Sequence, residues 1–321
     1  MSVAERIYYD SAELVFAAEV TDIRLHSTVQ DENGAKVQLW QVALDRTAFY
    51  PEGGGQPWDH GTLIATAPSG AQLVVPVERV EEDDAGEVWH FVRKPLMAGT
   101  VIEGRVDAER RMDHAQQHTG QHLLSAVFLR ELGARTVSFH LSALKSGAES
   151  STIDVALREV PDGKAGLSAE DLALVEDAVA REIYADRAMR PRWVTAEDAK
   201  AMLERGELRK LPERVGPMRI VTMEGIEHNA CGGTHVASTG AIGGVFLRKI
   251  EKVKQGWRVE FVCGLRAVRA ARWDFQTLGG VARTLSVGAV DVPGRVEKLL
   301  ADVKVANKEV KKLQQVASSN G

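Results

Sequence analysis

Two short pairs of side chains, His118/His122 and Cys231/His235, constrain this chain more than any other feature of its sequence. The first pair stands in His118-Thr119-Gly120-Gln121-His122, within a stretch from Glu109 to Leu132 that has no proline and one glycine, Gly120. That stretch reads as a single long helix with Asp107 as N-cap and Gly133 as its stop; Leu123, Val127 and Phe128 form its apolar stripe. Residues four apart share a helix face with Cβ atoms about 6 Å apart, so both imidazoles reach one point. The second pair stands in Cys231-Gly232-Gly233-Thr234-His235, where two glycines let the backbone fold tightly enough to aim a thiolate and an imidazole together. Three histidines and one cysteine are a donor set that suits zinc. If the pairs meet, the fold must bring the chain back across all the intervening sequence to one helix face.

Spacing leaves rivals open. His114, His118 and His122 form a ladder at four-residue steps, so either adjacent pair satisfies the helical geometry. The Thr-Gly-Gln insert favours His118 and His122, because Gly120 would let another backbone approach closely; His114 is then a surface residue or backs a ligand. His228 is a lesser rival in an expected loop, and Cys263, on an expected strand, reads as buried packing.

Around this centre the periodicity changes twice. Up to about residue 104, short β-type runs (Val15–Arg24, Lys36–Asp45, Gln72–Val80, Glu87–Arg93 and Val101–Val106) alternate with turn signals such as Asn33-Gly34 and Ser69-Gly70. They predict a small N-terminal β-barrel over 1–104. The acidic stretch Glu78–Glu87 reads as a solvated hairpin tip. Beyond the long helix, Thr136–Ser142 alternates strictly, with Thr136, Ser138, His140 and Ser142 on one face and Val137, Phe139 and Leu141 on the other, expected buried. Ser151–Leu157 reads as its partner, and Val215–Met223, Gly244–Lys252 and Val259–Cys263 as further strands. Ser168 with Asp171 opens a second helix and Thr195 a third. The fold class is α+β, with helices on an antiparallel sheet over 105–265 and a helical, coiled-coil tail over 266–321. In that tail Val296, Leu299, Val303, Ala306, Val310, Leu313 and Ala317 mark a heptad seam. So short a seam needs a second protomer, the body of the chain or a further domain to pack against, and the polar ending Ser318-Ser319-Asn320-Gly321 hints at a truncation.

Composition mostly excludes. With 321 residues the chain exceeds one ordinary domain; 44% hydrophobic and 26% charged residues are globular usage, and a net charge of −5 rules out a uniformly basic nucleic-acid coat. Two cysteines rule out a disulfide scaffold and point to a reducing, cytoplasmic setting, and no apolar run is long enough for a membrane span or a signal peptide. There is no P-loop, Rossmann fingerprint, Gly-x-Ser-x-Gly elbow or His-Glu-x-x-His, so neither ATP-driven chemistry nor a serine hydrolase is indicated. Any polyanion must meet local basic patches, of which 248–272 (Arg248, Lys249, Lys252, Lys254, Arg258, Arg266, Arg269, Arg272) and 187–219 are the candidates. The run Phe49-Tyr50-Pro51-Glu52-Gly53-Gly54-Gly55-Gln56-Pro57-Trp58-Asp59-His60-Gly61 demands positive φ or a close approach by a ligand or a second domain.

Taken together, HTGQHLL, CGGTHV, AFYPEGGGQPWDHG, RMDHAQQHTGQHLLSAVF with TVSFHLS and SSTIDV after it, and STGAIGGVFLRKIEK…WRVEFVCG closely resemble the editing domain of alanyl-tRNA synthetase and its free-standing relatives, the AlaX proteins, in their longer form. The resemblance covers roughly residues 40–265. It implies a zinc-dependent trans-editing hydrolase that deacylates tRNA(Ala) mischarged with serine, with glycine as a further candidate. It also implies His118, His122, Cys231 and His235 as zinc ligands. Gln121 stands where the synthetase often has Thr. Thr119, Gln121, Ser138 and His140 are the candidate pocket, Gln121 and His140 being the catalytic candidates, with a water held by the glycine-rich loop or His140 for attack. Gly54, Gly55, Gln56, Gly232 and Arg219 complete the expected substrate contacts. The expected partner is mischarged tRNA(Ala), without membrane or ATP, and a homodimer through the heptads is one way to cover the tail. The rival functions are an RNA-binding module with a purely structural zinc and a metallohydrolase of another aminoacyl ester.

Overall fold

The computed structural model describes residues 3–30, 33–145, 149–157, 166–213 and 216–319. The chain forms two compact units, residues 1–267 and 268–321.

The first unit opens with β1 (Glu5–Arg6), β2 (Val15–Gln30), β3 (Lys36–Leu44), β4 (Arg46–Thr47), β5 (Gly61–Thr66), β6 (Gln72–Glu82), β7 (Val88–Val92) and β8 (Val101–Val106). Strands β2, β3, β7, β6, β5 and β8 pair antiparallel in that cyclic order and close a barrel. Period-two patterning fills it: along β2, Phe16, Ala18 and Val20 are buried while the residues between them face out. Leu44, Leu63, Val75, Val88 and Ile102 complete the interior. The acidic hairpin tip joins β6 to β7. There Asp83 accepts from the Ala85 and Glu87 backbone and from Trp89 Nε1, so the acids build a turn as well as face solvent.

Next come α1 (Ala108–Leu132), β9 (Arg135–His140), β10 (Ser151–Ala156), α2 (Ala169–Tyr184), β11 (Met189–Val194), α3 (Ala196–Glu204), β12 (Met218–Met223), β13 (Glu227–Ala230), β14 (Val245–Val253) and β15 (Gly256–Cys263). Two antiparallel sheets result, in the orders β14-β15-β10-β9 and β11-β12-β13. The expected helix starts hold. Asp107 caps α1 by accepting from Arg110 N, Ser168 and Asp171 form a capping box on α2, and Thr195 caps α3. Helix α1 ends at Gly133 with φ 62°. Its Leu123, Leu124, Val127 and Phe128 pack with Ile153, Val179, Val259 and Phe261 in one core.

Besides the two-residue β1 and β4, three strands escaped the sequence reading. β5 follows the glycine-rich run directly, β13 (Glu-His-Asn-Ala) has no apolar alternation, and β11 contains Pro191. A strand with a proline fits only at an edge, and among the described strands β11 pairs with β12 alone. The strand expected from Val215 begins at Met218; residue 215 lies outside the described residues. Strand β9 also departs from strict alternation. Its register against β10 shifts between Asp154 and Val155, so Thr136 meets Ser125 of α1 while Val137, expected buried, is 51% exposed.

Helix α4 (Gly264–Leu285) runs on into the second unit, which also holds α5 (Val292–Ser319). The whole heptad seam lies on α5, where Val303, Val310 and Leu313 are more than half exposed. No described helix is long and apolar enough to cross a membrane.

Gly120 admits a side chain rather than the expected backbone. A Cβ there would overlap Sγ of Cys263, the fully buried last residue of β15. Gly120→Ala should therefore destabilise the fold by about 1–3 kcal/mol. Adding Cys263→Ala, which removes the overlapping atom, should recover part of that loss; urea titration of the four proteins in the cycle checks it.

Candidate metal centre

The polar face of α1 is buried rather than solvated. Arg110, Arg111, Asp113, His114, Gln117, His118, Thr119 and Gln121 are all largely inaccessible. Arg111 pairs with the fully buried Asp59 and donates to Ala48 O, while Arg110 donates to Trp58 O and Leu144 O. Asp113 makes a bidentate pair with Arg266, and Gln117 exchanges two hydrogen bonds with the Cys263 backbone. These contacts seat α1 between the barrel and the four-stranded sheet, with its middle turn presenting His118 and His122.

The glycine-rich run is a loop closed at its base by Asp59, whose backbone donates to Tyr50 O and whose carboxylate accepts from Tyr50 N. Gly53 and Gln56 bridge its tip, with Gly54 at φ 56° and Gly55 at φ 81°. A Cβ on Gly55 would also press on the Phe139 ring. Glycine is thus required there twice over. Gln56, almost fully buried, reaches the centre.

On the other side, β12 and β13 deliver the second pair. Arg219 donates to Tyr9 O, Cys231 O and Gly233 O, strapping the Cys231–His235 loop to the N-terminal segment. A Cβ on Gly233 would overlap the His118 ring, whereas one on Gly232 would merely touch Tyr9 at 3.8 Å. His118, His122, Cys231 and His235 then converge, each offering a donor atom within 4.8 Å of the others; together they could hold a metal ion. His118 Nε2 lies 3.5 Å and His235 Nε2 3.3 Å from Cys231 Sγ.

Each imidazole is held from behind through Nδ1. Thr234 fixes the Gln56 amide, because Thr234 N donates to Oε1 and Nε2 donates to Thr234 Oγ1; His118 Nδ1 consequently donates to Gln56 Oε1 at 2.8 Å. Thr119 Oγ1 lies 3.1 Å from His235 Nδ1, and the Glu227 carboxylate 3.4 Å from His122 Nδ1. All three Nε2 atoms are thereby left to face the shared point. Burial penalises the Cys231 thiolate, yet His118, His235 and His122 hold its pKa well below the usual thiol value. Burial lowers the His235 pKa to about 3. It also opposes charge on His122, but Cys231 and Glu227 outweigh it and raise that pKa to about 10.

The other expected site residues are distributed as follows. Gln121 is buried and donates to Ser125 Oγ, one turn along α1. Thr119 lies beneath His235 and also accepts from Val236 N. Phe139, expected from the sequence only as a buried strand residue, packs its ring 6.3 Å from that of His118. Ser138 donates to Asp154 and His140 is exposed, both flanking Phe139 on the opposite face of β9, so the fold does not bring them to the four donors. His114 is not at the surface: it is 1% exposed, and neither ring nitrogen has a hydrogen-bond partner among the described residues. Burial and then Arg110 and Arg266 lower its pKa to about 3. His228 pairs with Thr222 away from the cluster. The basic stretches are heavily paired: Arg266 is fully buried on Asp113, Arg258 holds Asp154, and Lys249 holds Glu251.

Residues 2–110 match the family described as tRNA synthetases class II (A), and residues 218–260 match the threonyl and alanyl tRNA synthetase second additional domain. Barrel and loop thus fall in the class of synthetase-related domains, the second match taking in Cys231 and His235. The alanine–tRNA ligase of Pyrococcus furiosus is 34% identical over 284 residues, 87% of this chain and 29% of the ligase. The alanyl-tRNA editing protein Aarsd1 of Rattus norvegicus is 32% identical over 87% of this chain and 63% of its own length, and that of Mus musculus 31% identical over 93% and 68%. The chain belongs to the AlaX-type family of alanyl-tRNA editing proteins. It spans about two thirds of the length of those editing proteins and under a third of the ligase.

Close packing at Gly233 predicts a sharp contrast between neighbours. Gly233→Ala should displace His118 and lower bound metal per chain well below stoichiometric, whereas Gly232→Ala should keep it; elemental analysis of the purified proteins decides.

Proposed function

We propose that this chain is a zinc-dependent hydrolase that removes serine, and glycine as a second substrate, from mischarged tRNA(Ala). One observation carries the reading. Three imidazoles with their Nδ1 atoms engaged from behind surround one depressed-pKa thiol, in a chain of the alanyl-tRNA editing family. The spacing supports zinc: bonds of about 2.0–2.1 Å to nitrogen and 2.3 Å to sulfur give tetrahedral N–S edges of about 3.5 Å, beside 3.3 and 3.5 Å here. His118, His122, Cys231 and His235 would hold the metal. When bound, zinc would polarise an ester carbonyl or bring a water's pKa to about 7.

The chain's own residues then supply shape. The barrel, residues 1–104, presents Gly54, Gly55 and Gln56 to the centre on residues 105–265. Phe139 and the Gly55 backbone form an apolar wall that keeps bulk water from one side of the reacting ester. Gln121, with its amide nitrogen on Ser125, keeps Oε1 as an acceptor. Selectivity has to rest on pairing the serine hydroxyl, because an apolar pocket separates serine from alanine by only about 100-fold. The tRNA lies outside this pocket, where His140 and Ser138 are accessible, and the setting is cytoplasmic.

A second reading draws on the same geometry. Four protein donors complete a tetrahedron, the usual mark of a structural site, so an RNA-binding module with a structural zinc is the alternative. Rapid release of serine from Ser-tRNA(Ala), with Ala-tRNA(Ala) spared by well over ~100-fold and activity lost in Cys231→Ala, is the expected result. Wild type that carries zinc yet leaves the seryl ester intact would refute the hydrolase and favour the module.

The heptad face of α5 we assign to a second copy of the chain, since Val at one seam position and Leu at the other favour two strands. Analytical ultracentrifugation should give a dimer that Leu313→Lys dissociates; a wild-type monomer at micromolar concentration would end that assignment.

A further inference from the structure

Among the three groups behind the histidines, Gln56 and Thr119 are neutral and Glu227 alone is a carboxylic acid. Its side chain is 7% exposed, and no periodicity or motif pointed to it in the sequence. Two donors fix it from other positions: Asn229 Nδ2 at 2.5 Å on Oε1 and Arg209 at 2.8 Å on Oε2. Oε1 is also the oxygen 3.4 Å from His122 Nδ1. This carboxylate is therefore aimed at the back of one ring, and its hydrogen-bonding capacity is spent on neighbours of defined position.

We propose that Glu227 is the positioning residue that sets the metal affinity of the centre, an inference that rests on the zinc reading above. Accepting the Nδ1 proton fixes the His122 tautomer, turns Nε2 to the shared point and raises its basicity. Charge adds to orientation. A divalent ion with one thiolate keeps one positive charge in a buried site, and Glu227 cancels it at close range. Arg209, 41% exposed, is screened by solvent and offsets this less. Gln56 and Thr119 orient their rings without that second contribution. Arg209 and Asn229 keep the carboxylate from swinging into solvent.

The test is zinc affinity, measured by competition with a chromophoric chelator on the full chain. Glu227→Ala should weaken binding about 10–100-fold, and Glu227→Gln, which keeps an acceptor of the same shape without the charge, should fall between it and wild type. Cobalt-substituted Glu227→Ala should show a shifted visible absorption band, which a merely structural change at the β13 hairpin would not produce while the metal-free proteins unfold at equal denaturant concentration. Variants that bind zinc as tightly as wild type, or an unshifted cobalt band, overturn the proposal. Wild type that binds no zinc overturns both the metal reading and this one. Wild type that binds zinc, with the variants weakened as stated but Ser-tRNA(Ala) untouched, leaves Glu227 in its role and removes only the hydrolase.

Discussion

Everything at the centre depends on how α1 is seated, and that comes down to the buried pair of Arg111 and Asp59. Asp59 closes the base of the glycine-rich loop through Tyr50 and at the same time takes the guanidinium of α1. One carboxylate thus ties loop shape to helix position. A buried ion pair contributes little net stability over an apolar pair, but removing one partner costs about 3–5 kcal/mol. Its value here is registry. With Arg111 on Asp59 and Asp113 on Arg266, α1 can neither slide nor rotate, and the turn carrying His118 and His122 stays opposite Gln56 and the Cys231–His235 loop.

The helix pattern explains why much of this was legible in the sequence and some was not. The caps at Asp107, Ser168 and Thr195, the stop at Gly133 and the barrel strands other than β5 follow from local chemistry, which sequence displays directly. The donor pairs were legible because i,i+4 spacing and a Gly-Gly turn are local too. What orients the donors is not local. Gln56 lies on the barrel, Glu227 on a four-residue polar strand, and Arg219 acts through carbonyls of the loop it straps.

Polarity alone does not say where a side chain goes. Ser138 and Gln121 hydrogen-bond Asp154 and Ser125, and His114, expected at the surface or behind a ligand, is buried without a partner among the described residues. The bulge in β9 compounds this. One skipped residue sends Val137 outward and Thr136 toward α1, a shift that alternation in the sequence conceals, while Phe139 and its polar neighbours keep the faces alternation gives them. Most guanidinium groups of the basic stretches have carboxylates or carbonyls close by, partners that the sequence does not display.

The hydrogen bond from His118 to Gln56 joins a would-be ligand on one element to an amide on another. Binding equilibria that share such a contact are reciprocal. Whatever tightens the grip on an ion at His118 must equally tighten the seating of the barrel against α1, and whatever loosens that seating must release the ion. The four-donor cluster would in this sense act as a clasp between two halves of the first unit, and occupancy by an ion would read out whether the halves have closed.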